Sequence, residues 1–400
     1  MRSPTLSPPR AARATTSRLI GLLVATGLAA GLAGCGSRSG SNGQASGAAS
    51  SGGSRTVQVK LAPADCDPAT LRLPAGATTF QVSNDRAAAV TEFEVLDAAG
   101  TRILGEVENL APGLHGHFSL NLNAGSYRLK CPGGTAAATG TLTITGTGSA
   151  AAGADPQLTE AATRYQADLR QQAGLLVERT GSFVGAVLAG DLAAAKERYP
   201  AARAPYERIE PVAESFGDQD PAIDARQGDV PASQWTGFHV LERALWQQRS
   251  LAGTAPVARK LLSDVKALQA RIAALTLDAP QIANGANELL TEVSSSKITG
   301  EEERYSHLDL VDISANLEGS QAAFALLRPA LARRDATLAS QITQRFNQVR
   351  AVLAPWKRGA GFVAYTSLST ADTRRLSQAL DAVAEPLSQV GAKLTAAAPE

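Results

Sequence analysis

The stretch TGFHVLERALW, residues 236–246, sets a histidine and a glutamate three positions apart in an otherwise apolar run. On a helix, positions i and i+3 project from one side, so His239 and Glu242 would face a common partner. An imidazole and a carboxylate from one helix are half of a transition-metal site, and a helical bundle completes such a site with carboxylates from facing helices. The alternative for this pair is a His–Glu hydrogen bond that fixes a helix in a core. Acids recur near the other histidine of the region: TGEEERYSHLDLVD (299–312) carries Glu301, Glu302, Glu303, His307, Asp309 and Asp312. Glu303 and His307 at i, i+4 would share a helix face. Glu301 and Glu302 are expected only to complement a helix N-terminus capped by Thr299.

The surrounding sequence provides helices to position these groups. From Asp155 onward apolar residues recur at intervals of three and four. One long helix is expected to end at Gly190, with Asp191 capping the next. Pro200, Pro205 and Pro211 should limit or kink that second helix. GDQDPAIDARQGDVP (217–231) reads as a loop. Further helices are expected at about 233–251, 255–276, 280–295, 301–318, 320–332, 335–353 and 371–397, which makes an all-α bundle. Residues 56–146 alternate instead. TVQVKLA, TTFQVSN, VTEFEVLD, HGHFSLNL and GTLTITG, separated by Gly and Pro, predict an all-β sandwich or small barrel.

Residues 1–34 have the layout of a signal peptide. Arg2, Arg10, Arg13 and Arg18 precede the apolar stretch Leu19–Leu32, which is short for a bilayer span. Leu32-Ala33-Gly34-Cys35 looks like a lipobox, so Cys35 is the expected lipidation site and first mature residue. An ordinary secretory signal is the alternative. Residues 36–54, nearly all Gly, Ser, Ala and Asn, then form a flexible tether outside the cytoplasmic membrane. The expected layout is a signal peptide (1–34), lipidated cysteine and tether (35–55), β-domain (56–146), linker (147–155) and helical domain (156–399). Of 38 basic residues, four lie in the leader, so the remainder carries a charge of about −3 against 37 acids. That balance argues against nucleic acid as a partner.

YERIEPVAESFGDQDPAIDAR (206–226), WTGFHVLERALW (235–246) and SSSKITGEEERYSHLDLVDISANLEGS (294–320) resemble the EfeO family, iron-uptake components of EfeUOB-type systems. The resemblance covers nearly all of residues 157–399 and implies an imelysin-like helical domain, a group named for a His-x-x-Glu peptidase. CDPATLRLPAG, TEFEVLD, VENLAPG and AGSYRLKCPGG resemble the family's cupredoxin-like N-terminal domain. The resemblance implies iron bound by His239 and Glu242, joined by Glu303 and, on the last helix, Glu385. It further implies a membrane iron permease and a haem peroxidase-like protein as partners. An imelysin-type metallopeptidase using the same residues is the alternative. Neither a His-Glu-x-x-His motif nor a recognisable Ser or Cys nucleophile supports it.

The β-domain lacks the ligands of a blue-copper site, which needs two His and a Cys, usually with an axial Met. The chain's one methionine is Met1, and no histidine follows Cys131 at short spacing. Cys66, Glu92, Glu94 and Cys131 remain, and the two glutamates share a strand face. In the EfeO family such a cluster is a proposed second metal site, for copper or ferric iron. Ser126 stands where relatives often carry an acid. A Cys66–Cys131 disulfide is the competing reading, worth roughly 3–5 kcal/mol in the chain-entropy model. His115 and His117 are expected to be a solvent-facing pair. The acids of 218–229 lack the central Gly and terminal Glu of an EF-hand.

Overall fold

The computed structural model describes residues 55–133, 139–146 and 155–395. The leader, Cys35, the tether and residues 147–154 of the linker lie outside the described residues.

Nine strands build the first region: β1 (Arg55–Leu61), β2 (Cys66–Asp67), β3 (Thr70–Pro74), β4 (Gly76–Asn84), β5 (Phe93–Leu96), β6 (Ile103–Val107), β7 (His115–Leu122), β8 (Gly125–Lys130) and β9 (Thr139–Thr145). They form a sheet of order β2-β1-β4-β7 and another of order β3-β9-β8-β5-β6. β1–β4 and β3–β9 are parallel, and the remaining pairings are antiparallel. Alternation along the strands sends Val57, Val59, Phe80, Val82, Phe93, Phe118, Leu120, Leu129 and Leu142 into one core. The rings of Phe80 and Phe118 stack at 5.2 Å. β2, β3, β6 and β8 are short strands, of two to six residues, that were not among those expected from the sequence. Cys66 and Cys131 are both buried in this core with Cα atoms 6.0 Å apart, and they are joined as a disulfide.

The second region comprises α1 (Pro156–Leu188), α2 (Leu192–Glu207), α3 (Glu210–Glu214), α4 (Asp220–Asp224), α5 (Phe238–Arg243), α6 (Ala255–Ala274), α7 (Ala279–Ser295), α8 (Asp309–Arg334), α9 (Ala336–Leu353), α10 (Thr370–Ser388) and α11 (Val390–Thr395). Side-chain caps start several of them: Asp155, Asp191 and Asp335 accept from backbone N–H groups, and Asp278 and Ser369 form capping boxes. Among the described residues no helix is long and apolar enough to cross a membrane.

Several expected boundaries moved, each for a local reason. Pro200 and Pro205 lie inside α2 rather than breaking it. Pro205 cannot donate to the Ala201 carbonyl, which instead faces the Arg179 guanidinium at 3.5 Å. The expected 217–231 loop contains α4, with Pro221 in its first turn. The expected helix 233–251 shrinks to α5 and a π-helical turn over Ala244–Gln248, closed by Arg249 at φ 52°. Residues 301–308 are turns, and α8 starts only at Asp309, then runs unbroken through Gly319. A Cβ at Gly319 would sit 2.3 Å from the Arg208 carbonyl, so this glycine is a packing contact and not a helix break.

The two regions meet along β7. The Asn284 side chain on α7 donates to the Ser119 carbonyl at 2.9 Å and faces the Ser119 N–H at 3.4 Å, acting like one more residue of strand. Ile103 N–H donates to the Ser215 carbonyl at 2.8 Å.

Gly237, two residues before His239, has φ 87°, and a Cβ there would lie 2.1 Å from the Ile223 carbonyl. Gly237→Ala should therefore force α5 away from the end of α4. We expect a loss of about 1–3 kcal/mol, read by urea denaturation.

Candidate metal centre

His239 lies on α5, 1% exposed, directly after Phe238, whose ring packs edge-on against Tyr199. Its Nδ1 lies 3.0 Å from Glu242 Oε2, so the i, i+3 spacing produces a direct contact. Glu242 Oε1 accepts from the backbone N–H groups of Tyr305 and Ser306, both at 2.7 Å. Those three hydrogen bonds hold the carboxylate and, through it, the ring.

The other ring nitrogen is different. Nε2 is buried without a hydrogen-bond partner and faces Asp224 Oδ1 and Glu302 Oε1, each at 3.4 Å. Two ligand groups thus share His239, one with Glu242 and Glu303, the other with Asp224 and Glu302, all five residues buried. Glu303 Oε1 accepts from the Tyr199 hydroxyl at 3.0 Å, and its Oε2 from Ser306 Oγ.

The carboxylates stand around two buried cations. Arg203 on α2 is fully buried and pairs with Glu207, Asp224, Glu302, Glu303 and Asp312. Its guanidinium carbon lies 5.4 Å from the Phe238 ring centroid. Lys297 Nζ contacts Glu207 at 2.8 Å and Glu210 at 2.6 Å. Buried acids outnumber these cations, and the protonation states respond. Burial and the neighbouring Glu242 carboxylate push Glu303 up to about 8, overcoming Arg203 and His239. Burial and Glu207 push Glu210 to about 8 despite Lys297. Burial raises Asp309 to about 6. Burial and Arg203 oppose a charge on His239, but Glu242 and Glu302 outweigh them and lift it to about 10. Glu302 is held well below its ordinary value, because Lys297, His239 and Arg203 outweigh its burial.

The structure thus brings His239, Glu242 and Glu303 together and leaves Glu385 out. Glu385 is exposed on α10 and lines a cavity between the two regions. Glu302 is not a solvent-facing acid at a helix start, since residues 301–308 wrap as turns and bury it against His239. Glu303 and His307 do not share a helix face for the same reason. The 217–231 segment supplies Asp224. Sequence reasoning missed Asp224, Glu302, Arg203 and Lys297. A signal did exist: Arg203, Glu207, Glu210 and Glu214 recur every three or four residues between apolar neighbours.

In the β-region, Glu92 and Glu94 gather with Glu106. The disulfide takes both cysteines, so the Cys/Glu ligand set expected from the sequence does not form: a bonded sulfur is a poor ligand beside a thiolate. His115 is exposed, as expected, while His117 is half-buried; both line the cavity between the regions, and His117 Nε2 lies 3.2 Å from the Ser388 carbonyl.

A helical bundle enclosing one histidine among carboxylates, joined to a β-sandwich, defines a two-part protein with a candidate metal centre in its helical region. The imelysin family model matches residues 161–390, and the cupredoxin-like domain model residues 39–144. The chain is 38% identical over 340 residues to the iron uptake system component EfeO of Escherichia coli (strain K12), spanning 84% of this chain and 90% of that protein. The same figures hold for EfeO of Shigella flexneri. The chain belongs to the EfeO family. Among solved structures, auracyanin A, a "blue" copper protein from Chloroflexus aurantiacus, aligns over 23% of this chain and 100% of its own, at 17% identity and a TM-score of 0.21.

Glu303 and Glu210 keep their protons in the fold to about pH 8, against an ordinary value of 4.5. Folding takes up protons between those values, so their stabilising contribution is complete below pH 4.5 and lost as pH rises through 8. The melting temperature of chelator-treated protein should fall between pH 5 and pH 8. Glu303→Gln should shallow that fall in differential scanning fluorimetry.

Proposed function

We propose that this chain is the extracytoplasmic, lipid-anchored metal-binding component of an EfeUOB-type iron-uptake system, capturing iron in its helical region and yielding it to a membrane permease. One observation carries the reading: a buried imidazole nitrogen without a hydrogen-bond partner faces two carboxylates. The names of the EfeO relatives support the ion and the pathway.

In this reading His239 Nε2 supplies the nitrogen and Asp224 and Glu302 the oxygens at that face, while Glu242 and Glu303 stand as a carboxylate group at the other ring nitrogen. Such a hard, oxygen-rich set suits iron as cargo and disfavours copper(I). Glu242 has a second task, since its bond to Nδ1 leaves Nε2 aimed at Asp224 and Glu302. The absence of thiolate keeps capture reversible. Cargo binding must displace the proton that His239 retains to about pH 10 and the proton on Glu303. Affinity therefore rises with pH, and binding releases protons. A haem peroxidase-like partner would carry out any oxidation of the ion. With its cysteines joined, the β-region is left with carboxylates near Glu92 and Glu94, a set better suited to ferric iron than to copper(I).

Anaerobic calorimetric titration of the whole chain with Fe²⁺ tests this. His239→Ala should weaken binding at least 100-fold, and Asp224→Asn or Glu302→Gln by about tenfold each. Titrations in buffers of different ionisation enthalpy should reveal proton release. Unchanged binding in His239→Ala would remove the claim. The imelysin model carries the peptidase M75 name, so a peptide library belongs beside the titration. Hydrolysis abolished by Glu242→Ala would replace uptake with peptidase chemistry.

A further inference from the structure

Much of the His239 centre hangs on a segment that is not α-helical. Residues 298–307 run from the 3-10 turn Lys297–Thr299 to the start of α8. They supply Glu302, Glu303 and the Tyr305 and Ser306 N–H groups that hold Glu242. Such a segment lacks the repeating hydrogen bonds of a helix, so contacts from its surroundings must fix its shape. Some of these lie at its middle: His307 N–H donates to the Glu303 carbonyl at 2.7 Å, and Glu303 N–H to Asp309 Oδ1 at 3.1 Å. Arg304 and Tyr305 reach Gln227 on one flank.

The two ends are joined by a residue from much later in the chain. Between α9 and α10 lies a short hairpin of β10 (Lys357–Arg358) and β11 (Gly361–Phe362), followed by a 3-10 turn over Tyr365–Ser367. Tyr365 is buried. Its backbone N–H donates to the His307 carbonyl at 2.9 Å, and its hydroxyl donates to the Ile298 carbonyl. One residue therefore spans the segment from end to end. Its ring lies against Gly300, where φ is 78° and a Cβ would come within 2.7 Å of the ring. The hairpin before it is a surface element, with Lys357 and Arg358 exposed. A tyrosine that only filled space could be replaced by phenylalanine at little cost; here the hydroxyl closes a loop of backbone.

We propose that Tyr365 is a positioning residue of the His239 centre. By clasping both ends of 298–307 it holds Glu302, Glu303 and the amide donors to Glu242 in register, and so sets how slowly a bound ion leaves. It acts through the backbone of the segment and not as a ligand. The statement about ion release rests on the reading of the His239 centre as the cargo site; the clasp does not.

The test takes two readouts on the whole chain: amide hydrogen exchange without metal, and anaerobic stopped-flow release of Fe²⁺ to a chelator. Tyr365→Phe keeps the ring and loses the bond to Ile298, while Tyr365→Leu loses the ring as well. Loss of one ordinary hydrogen bond corresponds to roughly three- to tenfold. Tyr365→Phe should raise exchange at the Tyr305 and Ser306 amides and speed release by about that factor, with exchange in α1 and α6 unchanged. Tyr365→Leu should exceed it in both, and Tyr365→Phe carries the test if Tyr365→Leu does not fold. Tyr165→Phe, at a buried tyrosine of α1, should change neither readout. The inference is overturned if Tyr365→Phe leaves exchange at those two amides at the wild-type value. It is overturned equally if exchange rises as much in α1 and α6, the mark of a tyrosine that serves general stability. Faster local exchange with an unchanged release rate also overturns it, since the clasp would not govern the ion. A wild type that holds no Fe²⁺ would sink the reading of the centre as the cargo site, and raised exchange at Tyr305 and Ser306 in Tyr365→Phe would leave the clasp standing.

Discussion

A buried carboxylate needs a counter-charge, a proton or a metal ion, because taking an unpaired ion out of water costs several kcal/mol. The helical region buries Glu207, Glu210, Asp224, Glu242, Glu302, Glu303, Asp309 and Asp312. Against them stand Arg203, Lys297 and a protonated His239. Arg203 spreads one charge over five carboxylates from four places in the chain: α2, α4, the 301–308 turns and α8. Its planar set of N–H donors can address several partners at once, which a lysine ammonium does less well. The organisation of the bundle around His239 depends on that compensation.

Local irregularities bring these groups together. α5 is short and passes into a π-helical turn, a feature often found where a helix is bent to a functional purpose. Gly237 lets the chain enter α5 against the end of α4, which sets His239 beside Asp224. The 301–308 turns, ending near His307 at φ 59°, place adjacent residues Glu302 and Glu303 on different sides of the imidazole. A regular helix over the same residues would point neighbouring side chains about a hundred degrees apart on its surface. The backbone N–H groups of Tyr305 and Ser306, which no helix would leave free together at this point, are spent on Glu242.

The seam between the regions is polar. Asn284 continues the hydrogen bonding of β7, and His117 reaches the end of α10. Acidic residues from both sides then face one another across the remaining space. Repulsion there is tolerated because burial and proximity keep several of these glutamates protonated, among them Glu288, raised to about 8. Protonation relieves like charge there, as Arg203 and Lys297 do at the centre, so the centre and the cavity obey one electrostatic rule.

Periodicity in the sequence was enough to separate a strand-rich region from a helical one, because periods of two and of 3.6 are local properties. The spacing of His239 and Glu242 likewise implied their contact, since i and i+3 meet on any helix. Boundaries were less legible. Pro205 sits inside a helix with an arginine of the preceding helix facing the carbonyl it frees, and Gly319 serves packing where the sequence reads as a break. Cys66 and Cys131 could have been ligands or a disulfide until their Cα separation was known. Asp224, Glu302 and Arg203 lie far apart in the chain, and nothing local says that three such charges converge on one imidazole. Tyr365, which joins the ends of the 298–307 segment, comes from beyond α9. Residue types and local spacing decided which groups were available for metal chemistry; only the packing of helices and sheet decided which were buried together, because burial and electrostatic coupling depend on distance through space and not along the chain.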